Sequence, residues 1–378
     1  MAILTEEQTM LRDAAKAWVA QKSPVSAFRK LRDSGDIDGF DPVVWAEMCE
    51  LGWAGIHVPE SYGGSGLGYL SLGLVLEETG RTLTASPLVS TALSATAALL
   101  LGGNESQKSE WLPQFVGGKA LGALAVDEGS HHAPDQITLN AVRDGHGWTL
   151  NGKKTFVLDG GSAQLLVVAA RTAGAPGETH GITLFLVPAS APGIARHKLR
   201  SVDSRGIANI VFENVSAGPD AILGAPDGGF GILEETLDRT RAGLAAEMLG
   251  ASLQSFDVTL EYLKTRTQFG QVIGTFQSLQ HRAAKMFAEL ELTRSSIEAA
   301  LDAFDRNAND VAALASLAKA RANDTAHLVS NEMVQMHGGI GMTDAHDAGL
   351  YLKRARVTEA AYGNAAFHRD RYARLMGY

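Results

Sequence analysis

The chain has 378 residues, a formal charge of -9 and one cysteine, Cys49. At ~150 residues per domain this length predicts two or three domains, and 45% hydrophobic with 20% charged residues excludes disorder as the main state. The lone thiol excludes a disulfide framework and a cysteine-cluster metal site, and the acidic balance argues against a general nucleic-acid binder while leaving room for a small anion held by a local arginine.

Residues 1–120 read as a helical domain. Thr5 and Gln8 have the spacing of a capping box, and Leu11, Ala14, Ala15, Trp18 and Val19 recur at helical spacing. Asp41-Pro42 predicts a cap and a first-turn proline, with Val44, Trp45, Met48 and Cys49 on one face. The loop PESYGGSGLG (59–68) breaks the pattern, and helices are predicted near 69–79, 88–101 and 105–116. The run Leu88–Leu101 contains Ser90, Thr91, Ser94 and Thr96; it is too short and too rich in hydroxyls for a bilayer of roughly 20 residues. The opening MAILTEEQTMLRD has charges where a signal peptide places its apolar run, so a cytoplasmic, non-membrane protein is expected.

From 121 to 228 short strands follow: LGALAV, ITLNAV, QLLVVAA, GITLFLV and IANIVFE. Asp144-Gly145, Asn151-Gly152 and Asp159-Gly160-Gly161 supply turn signals, and Gly152 between WTLN and KKTF predicts a hairpin. This density of strands predicts an antiparallel barrel or sandwich. From 229 to 378 four long helices, ending near 265, 305, 337 and 361, predict a four-helix bundle. The expected fold class is therefore α+β multi-domain: helical domain, β domain, helical bundle.

Two glycine-bearing segments carry chemistry. In the first, Arg266, Gln268-Phe269-Gly270 and Phe276-Gln277 lie where one long helix ends and the next begins. This reads either as a plain helical hairpin with an arginine on the C-terminal dipole, or as an exposed arginine able to hold a phosphate. In the second, Gln335-Met336-His337-Gly338-Gly339-Ile340-Gly341 ends a long helix with more glycine than a cap needs, and lets backbone approach a ligand closely. His131-His132 reads as an exposed loop pair rather than a metal site, and no metal is expected. Ser130 lacks a nucleophile-elbow context. Arg354 and Arg356 read as a solvated helix face, or as partners for a ligand phosphate.

Five segments in order, ELGWAGIHVPESYGGSGLG (50–68), DRTRAGLAAEMLG (238–250), YLKTRTQFG, VIGTFQ and QMHGGIG, resemble the acyl-CoA dehydrogenase family over essentially the whole chain. The resemblance implies FAD as cofactor, an acyl-CoA substrate, and an electron-transfer flavoprotein as redox partner. It implies removal of an α-proton by a base while the β-hydrogen leaves as hydride to the flavin. It also implies that Arg266 contacts the FAD pyrophosphate of a neighbouring subunit. Gln268, Phe269, Gln277, Gln335, Gly338 and Gly339 lie in the segments that reach the same nucleotide.

The sequence departs from the family where the base should stand. Tyr362 precedes Gly363 where a glutamate is expected, and a phenol with a pKa near ~10 is a poor base. Thr240 stands before Arg241 at the other family position. Asp127-Glu128-Gly129-Ser130-His131-His132 replaces the T-E-P-x-x-G-S-D segment, and Leu158 in Phe156–Gly160 replaces a flavin-bonding threonine. Glu247 and Glu359 are substitute bases to weigh, each with a structural reading: a carboxylate paired inside the bundle, and a helix residue beside Arg356. The half lent to a neighbour's flavin is kept and the half used for the chain's own is lost. This pattern resembles the small, base-lacking subunits of α2β2 acyl-CoA dehydrogenases, whose substrates suggest steroid side-chain, dicarboxylyl or branched acyl-CoAs. A non-catalytic scaffold and an oxygen-using flavin enzyme of the same fold are the alternatives.

Overall fold

The computed structural model describes residues 4–378. α1 (Glu6–Lys22) starts on the expected capping box: Thr5 Oγ1 accepts from the Gln8 N–H at 3.2 Å, and Gln8 Oε1 accepts from the Thr5 N–H at 3.1 Å. α2 (Val25–Ser34) follows. α3 (Pro42–Glu50) is capped by Asp41, whose carboxylate accepts from the Val43 N–H at 2.8 Å. The glycine-rich loop then leads to α4 (Gly68–Arg81).

The predicted helix near 88–101 has an unexpected pitch. Leu88–Ala95 is a buried π-helix that passes into α5 (Thr96–Gly102). Ser94 Oγ donates to the Val89 carbonyl and Thr96 Oγ1 to the Thr91 carbonyl, both at 2.8 Å and both five residues back, the spacing of a π ladder. α6 (Glu105–Val116) begins on a second capping box, Asn104 with Gln107.

One eight-stranded sheet follows, built from β1 (Gly122–Ala125), β2 (Asn140–Asp144), β3 (Gly147–Leu158), β4 (Leu165–Arg171), β5 (Ile182–Pro188), β6 (Ile194–Arg200), β7 (Gly206–Ala217) and β8 (Ile222–Leu223). The order is β6-β7-β3-β2-β4-β5-β8, with β1 on β4. Its ladders are antiparallel except that β1 runs parallel to β4, in register Ala123↔Leu166, and β2 meets β4 in one parallel pair. The sheet is thus mixed rather than wholly antiparallel. Phe185, Phe212, Leu150 and Val168 fill its core, each such side chain contributing ~1.5–3 kcal/mol by burial.

One reading of this region is corrected, and one strand joins those expected. Asn151-Gly152 is no hairpin: β3 runs straight through it, and Gly152 (φ +145°) forms a bulge where a Cβ would sit 2.9 Å from Leu139 Cα. The β2–β3 hairpin turns instead at Asp144–Gly147. β6, IARHKLR, has no apolar run to mark it, because it is an exposed edge strand with charges along it.

The C-terminal third contains α7 (Gly229–Thr265), a hairpin of β9 (Thr267–Gln268) and β10 (Gln271–Val272), then α8 (Gln277–Asp305), α9 (Val311–His337), α10 (Ala348–Ala360) and α11 (Ala365–Leu375). α9 packs against α8, α10 and α11. α11 is additional to the four expected helices; Asn364 caps it by accepting from the Phe367 N–H at 2.9 Å.

The chain divides into two compact units. The helical unit takes the residues up to Lys30, Tyr69–Thr84 and Arg241–Tyr378; the β unit takes Leu31–Gly68 and Ala85–Thr240. In the helical unit α4 crosses α7 backbone to backbone: a Cβ on Gly80 would lie 2.1 Å from the Glu247 carbonyl oxygen, and one on Gly250 1.8 Å from that of Glu77. Asp305, at the end of α8, accepts from the Tyr69 and Leu70 N–H groups at 2.6 and 2.9 Å and so caps α4. Among the described residues no helix is long and apolar enough to cross a membrane.

Candidate functional site

One end of the helical unit gathers the candidate nucleotide-binding residues. α7 stops at Thr265, and the β9–β10 hairpin turns through Phe269-Gly270 with φ +52° and +76°. A two-residue loop with both residues left-handed is a type I′ turn, which suits Gly270 and strains Phe269. Phe269 is 91% exposed, and its ring meets Phe276 edge-on at 6.2 Å. The end of α9 is tied to the end of α7 by Tyr262, whose ring stacks on His337 at 4.4 Å and whose hydroxyl donates to the His337 carbonyl at 3.4 Å. His337 stacks in turn on His346 at 4.2 Å and donates from Nδ1 to the Met333 carbonyl; burial holds its pKa below the ordinary histidine value.

Arg266, Gln268, Phe269, Gln277, Gln335, Gly338 and Gly339 are all exposed. The guanidinium of Arg266 has no partner among the described residues, and Cβ atoms on Gly338 and Gly339 would meet nothing within 4 Å. An unpaired cation, an exposed ring and two bare backbone positions can receive a diphosphate and a planar ring system.

The candidate bases are engaged elsewhere. Glu247 lies inside the helical unit and accepts from Arg354 at 3.2 Å. Glu359 accepts from Arg356 at 2.6 Å and faces His327 at 3.3 Å. Arg354 is therefore not a solvated residue waiting for a CoA phosphate: its side chain is 4% exposed and also covers the Phe28 ring. Arg356 is occupied too, donating to Glu359, Asn331 and His327.

Tyr362 sits in a strained turn, φ +55°, with Gly363 at φ +110°. Buried nitrogen donors hold that turn from behind. Arg241 Nε and His368 Nε2 donate to the Tyr362 carbonyl at 3.3 and 3.1 Å. Lys319 Nζ donates to Asn323 Oδ1, the Thr358 carbonyl and the Gly363 carbonyl at 2.7, 2.9 and 3.2 Å. Burial drives the Lys319 ammonium down to about 7, with Glu359 opposing and Arg241 adding to the shift. Sequence reasoning missed this cluster; its only trace is a lysine in the alanine-rich stretch SLAKARAND.

In the β unit, Thr240 is buried and donates to the Thr236 carbonyl at 2.8 Å and to Ser94 Oγ at 3.0 Å. Glu128 pairs with the fully buried Lys154 at 2.7 Å and accepts from the Leu139 N–H at 2.9 Å. Burial raises the Glu128 carboxyl, but the charge and hydrogen bond of Lys154, together with hydrogen bonds from Thr138 and Leu139, outweigh it and hold the group below its ordinary value. His132 is not an exposed loop residue: its side chain is 2% exposed and Nδ1 sits 2.9 Å from Asp127. His131 alone is exposed. Leu158 is followed by Asp159, a buried residue in left-handed conformation whose carboxylate accepts from Ser90 Oγ at 2.5 Å.

Three family models match the chain in order: acyl-CoA dehydrogenase N-terminal domain over 5–119, middle domain over 126–215 and C-terminal domain over 227–377. The chain belongs to the acyl-CoA dehydrogenase family. It is 31% identical to the probable acyl-CoA dehydrogenase YngJ of Bacillus subtilis, covering 99% of this chain and 98% of that one. Butyryl-CoA dehydrogenase from Megasphaera elsdenii has the same fold, with a TM-score of 0.91, 27% identity and coverage of 100% and 99%. A variant of the Tcur3481-Tcur3483 steroid ACAD matches with a TM-score of 0.88, 30% identity and 98% of each chain.

Acyl-CoA dehydrogenases are FAD-dependent oxidoreductases, so each unit can be tested for fit to that group. In this member of the family the helical unit fits a nucleotide: the Arg266 guanidinium is unpaired among the described residues and Gly338-Gly339 are open. The β unit fits a flavin ring poorly, because Leu158 has no hydroxyl to offer and the Asp159 carboxylate is taken by Ser90.

Proposed function

We propose that the chain acts in the FAD-dependent α,β-desaturation of an acyl-CoA thioester as one subunit of an α2β2 assembly, completing the flavin site of a homologous partner. The observation that carries this reading is the absence of a free carboxylate at each candidate base position. Glu247 and Glu359 are held by arginines, and Thr240 and Tyr362 occupy the positions where the family resemblance leads one to expect glutamate.

FAD, where bound, supplies the hydride acceptor. The residues of this chain bind and orient: Arg266 neutralises the diphosphate, Phe269 covers a planar face, and Gln268, Gln277 and Gln335 offer amides beside the bare backbone of Gly338 and Gly339. The α-proton goes to a carboxylate of the partner chain. An electron-transfer flavoprotein serves as the onward acceptor. The likeness to the Tcur3481-Tcur3483 steroid ACAD makes steroid acyl-CoAs the first substrate class to try.

Purification alone and after co-expression with a paralogous chain tests the proposal, with native mass and flavin content read together. Little flavin alone, and a flavin-loaded heterotetramer on co-expression, is the expected result. A fully flavinated homo-oligomer that oxidises acyl-CoA overturns it.

A further inference from the structure

Tyr262 stands where the two glycine-bearing segments of the helical unit meet. It lies on the last turn of α7, and its carbonyl accepts from the Arg266 N–H at 2.9 Å, so Arg266 follows it by one helical turn. Its hydroxyl donates to the carbonyl of His337, which belongs to the same peptide group as the Gly338 N–H. One residue thus joins the arginine segment to the bare backbone of Gly338 and Gly339. At 3.4 Å that O–H···O contact is long. The stack of the Tyr262 ring on His337, with centroids 4.4 Å and planes 32° apart, therefore carries most of the tie.

His337 is itself clamped. Its buried ring also meets His346 at 4.2 Å, and its Nδ1–H donates to the Met333 carbonyl at 2.7 Å. Its Nε2 is buried with no hydrogen-bond partner among the described residues. A bare buried nitrogen is destabilising, so what the ring contributes is its stacking and its Nδ1 bond. His346 is fixed in turn by the Ala348 N–H, which donates to its Nδ1 at 3.1 Å. The loop between the two histidines thereby returns onto the residue that precedes it.

The backbone held by this clamp is strained. Gly338 has φ +63° and ψ −138°, a combination that only glycine adopts readily, and its N–H donates to the Gln335 carbonyl. Such conformations persist where the surroundings over-determine them.

We propose that Tyr262, His337 and His346 are positioning residues that pre-form the nucleotide-receiving end of the helical unit. The stack fixes the Gly338-Gly339 backbone relative to Arg266, so that both meet one ligand without reordering. The inference rests on the reading of that end as part of a flavin nucleotide site. A site already held in its bound geometry binds more tightly, because less ordering remains to be done.

The test is FAD titration, followed by flavin fluorescence, of the assembly the chain forms after its flavin is stripped, with thermal unfolding of the stripped protein recorded alongside. Tyr262→Phe keeps the ring and is expected to bind within about threefold of wild type; Tyr262→Leu, which fills similar space without a flat face, is expected to bind at least about tenfold more weakly at a nearly unchanged thermal midpoint. A side chain that only filled space would be replaced as well by leucine as by phenylalanine. His346→Leu, at a half-buried position, is the second variant and is expected to weaken FAD in the same direction. Affinity unchanged in both leucine variants, or lost only in step with the folded fraction, overturns the proposal. Arg266→Glu separates it from the reading beneath it. FAD bound by Arg266→Glu as by wild type overturns both, while loss in Arg266→Glu with none in Tyr262→Leu overturns the positioning role alone.

Discussion

Arg354 on α10 donates to Glu247 on α7 across 3.2 Å, and the two side chains are 4% and 7% exposed. A carboxylate held in this way stabilises the helical unit and is not poised to take a proton from a substrate. Glu247→Gln is therefore expected to leave turnover of the assembled enzyme within about twofold, whereas loss of a true general base costs ~10²–10⁴-fold. Glu247→Ala, which strands the arginine, should lower unfolding free energy by ~3–5 kcal/mol. Steady-state rates and denaturant unfolding read the two effects separately.

The exposed end of the helical unit gives the opposite expectation. Arg266 and Phe269 face solvent and support little of the fold, so Arg266→Glu and Phe269→Ala should change the thermal midpoint of the isolated chain by no more than ~0.5 kcal/mol equivalent. Flavin content of the co-expressed assembly should fall sharply in both. A large drop in stability with flavin retained would assign these residues to the fold instead.

Gly80 and Gly250 let α4 and α7 touch through their backbones. A methyl group at either position meets a carbonyl oxygen rather than a movable side chain. Gly80→Ala and Gly250→Ala should each cost at least ~1–3 kcal/mol, and the double variant should cost less than the sum, because one separation of the helices relieves both clashes. Urea titration of the three variants checks this.

Lys319 imposes a pH dependence whose sign can be worked out. In the folded chain burial holds it at about 7; in the unfolded chain it titrates near ~10.4. Between these values the unfolded chain binds a proton that the folded one does not. Stability is therefore lowest at and below neutrality and rises with pH through that window, by up to ~1.4 kcal/mol per pH unit. Unfolding measured at a series of pH values should show this rise in wild type and a flatter curve in Lys319→Met. Parallel curves would mean that the lysine stays charged in both states.

Local signals were legible wherever one residue has a backbone job that few others can do. Thr5 with Gln8, Asp41 before Pro42 and Gly270 in its turn each act at their own position. Gly152 misled because left-handed and bulge geometries call for the same residue as a hairpin, and only the partner strand β7 decides between them. The π-helix was hidden because a fully buried segment shows no amphipathic period, and the hydroxyls at Ser94 and Thr96 looked like ordinary polar breaks. Exposure was misjudged at Arg354 and His132, since a charged residue reads as solvated until its partner, distant in sequence or held by a loop, is known. The segments at Arg266 and Gly338 were readable because their glycines exceed what helix ends need. The cluster behind Tyr362 was not, because Lys319, Arg241 and His368 come from three separate helices and bind carbonyls, which carry no side-chain signature.

The two-residue loop at Phe269-Gly270 leaves that hairpin no slack. Adding or deleting one residue would slide Gln271 out of line with Gln268 and send every side chain beyond it to the opposite face. The length of the tip is thus pinned by the strand pairing, whatever the ring of Phe269 does beyond it.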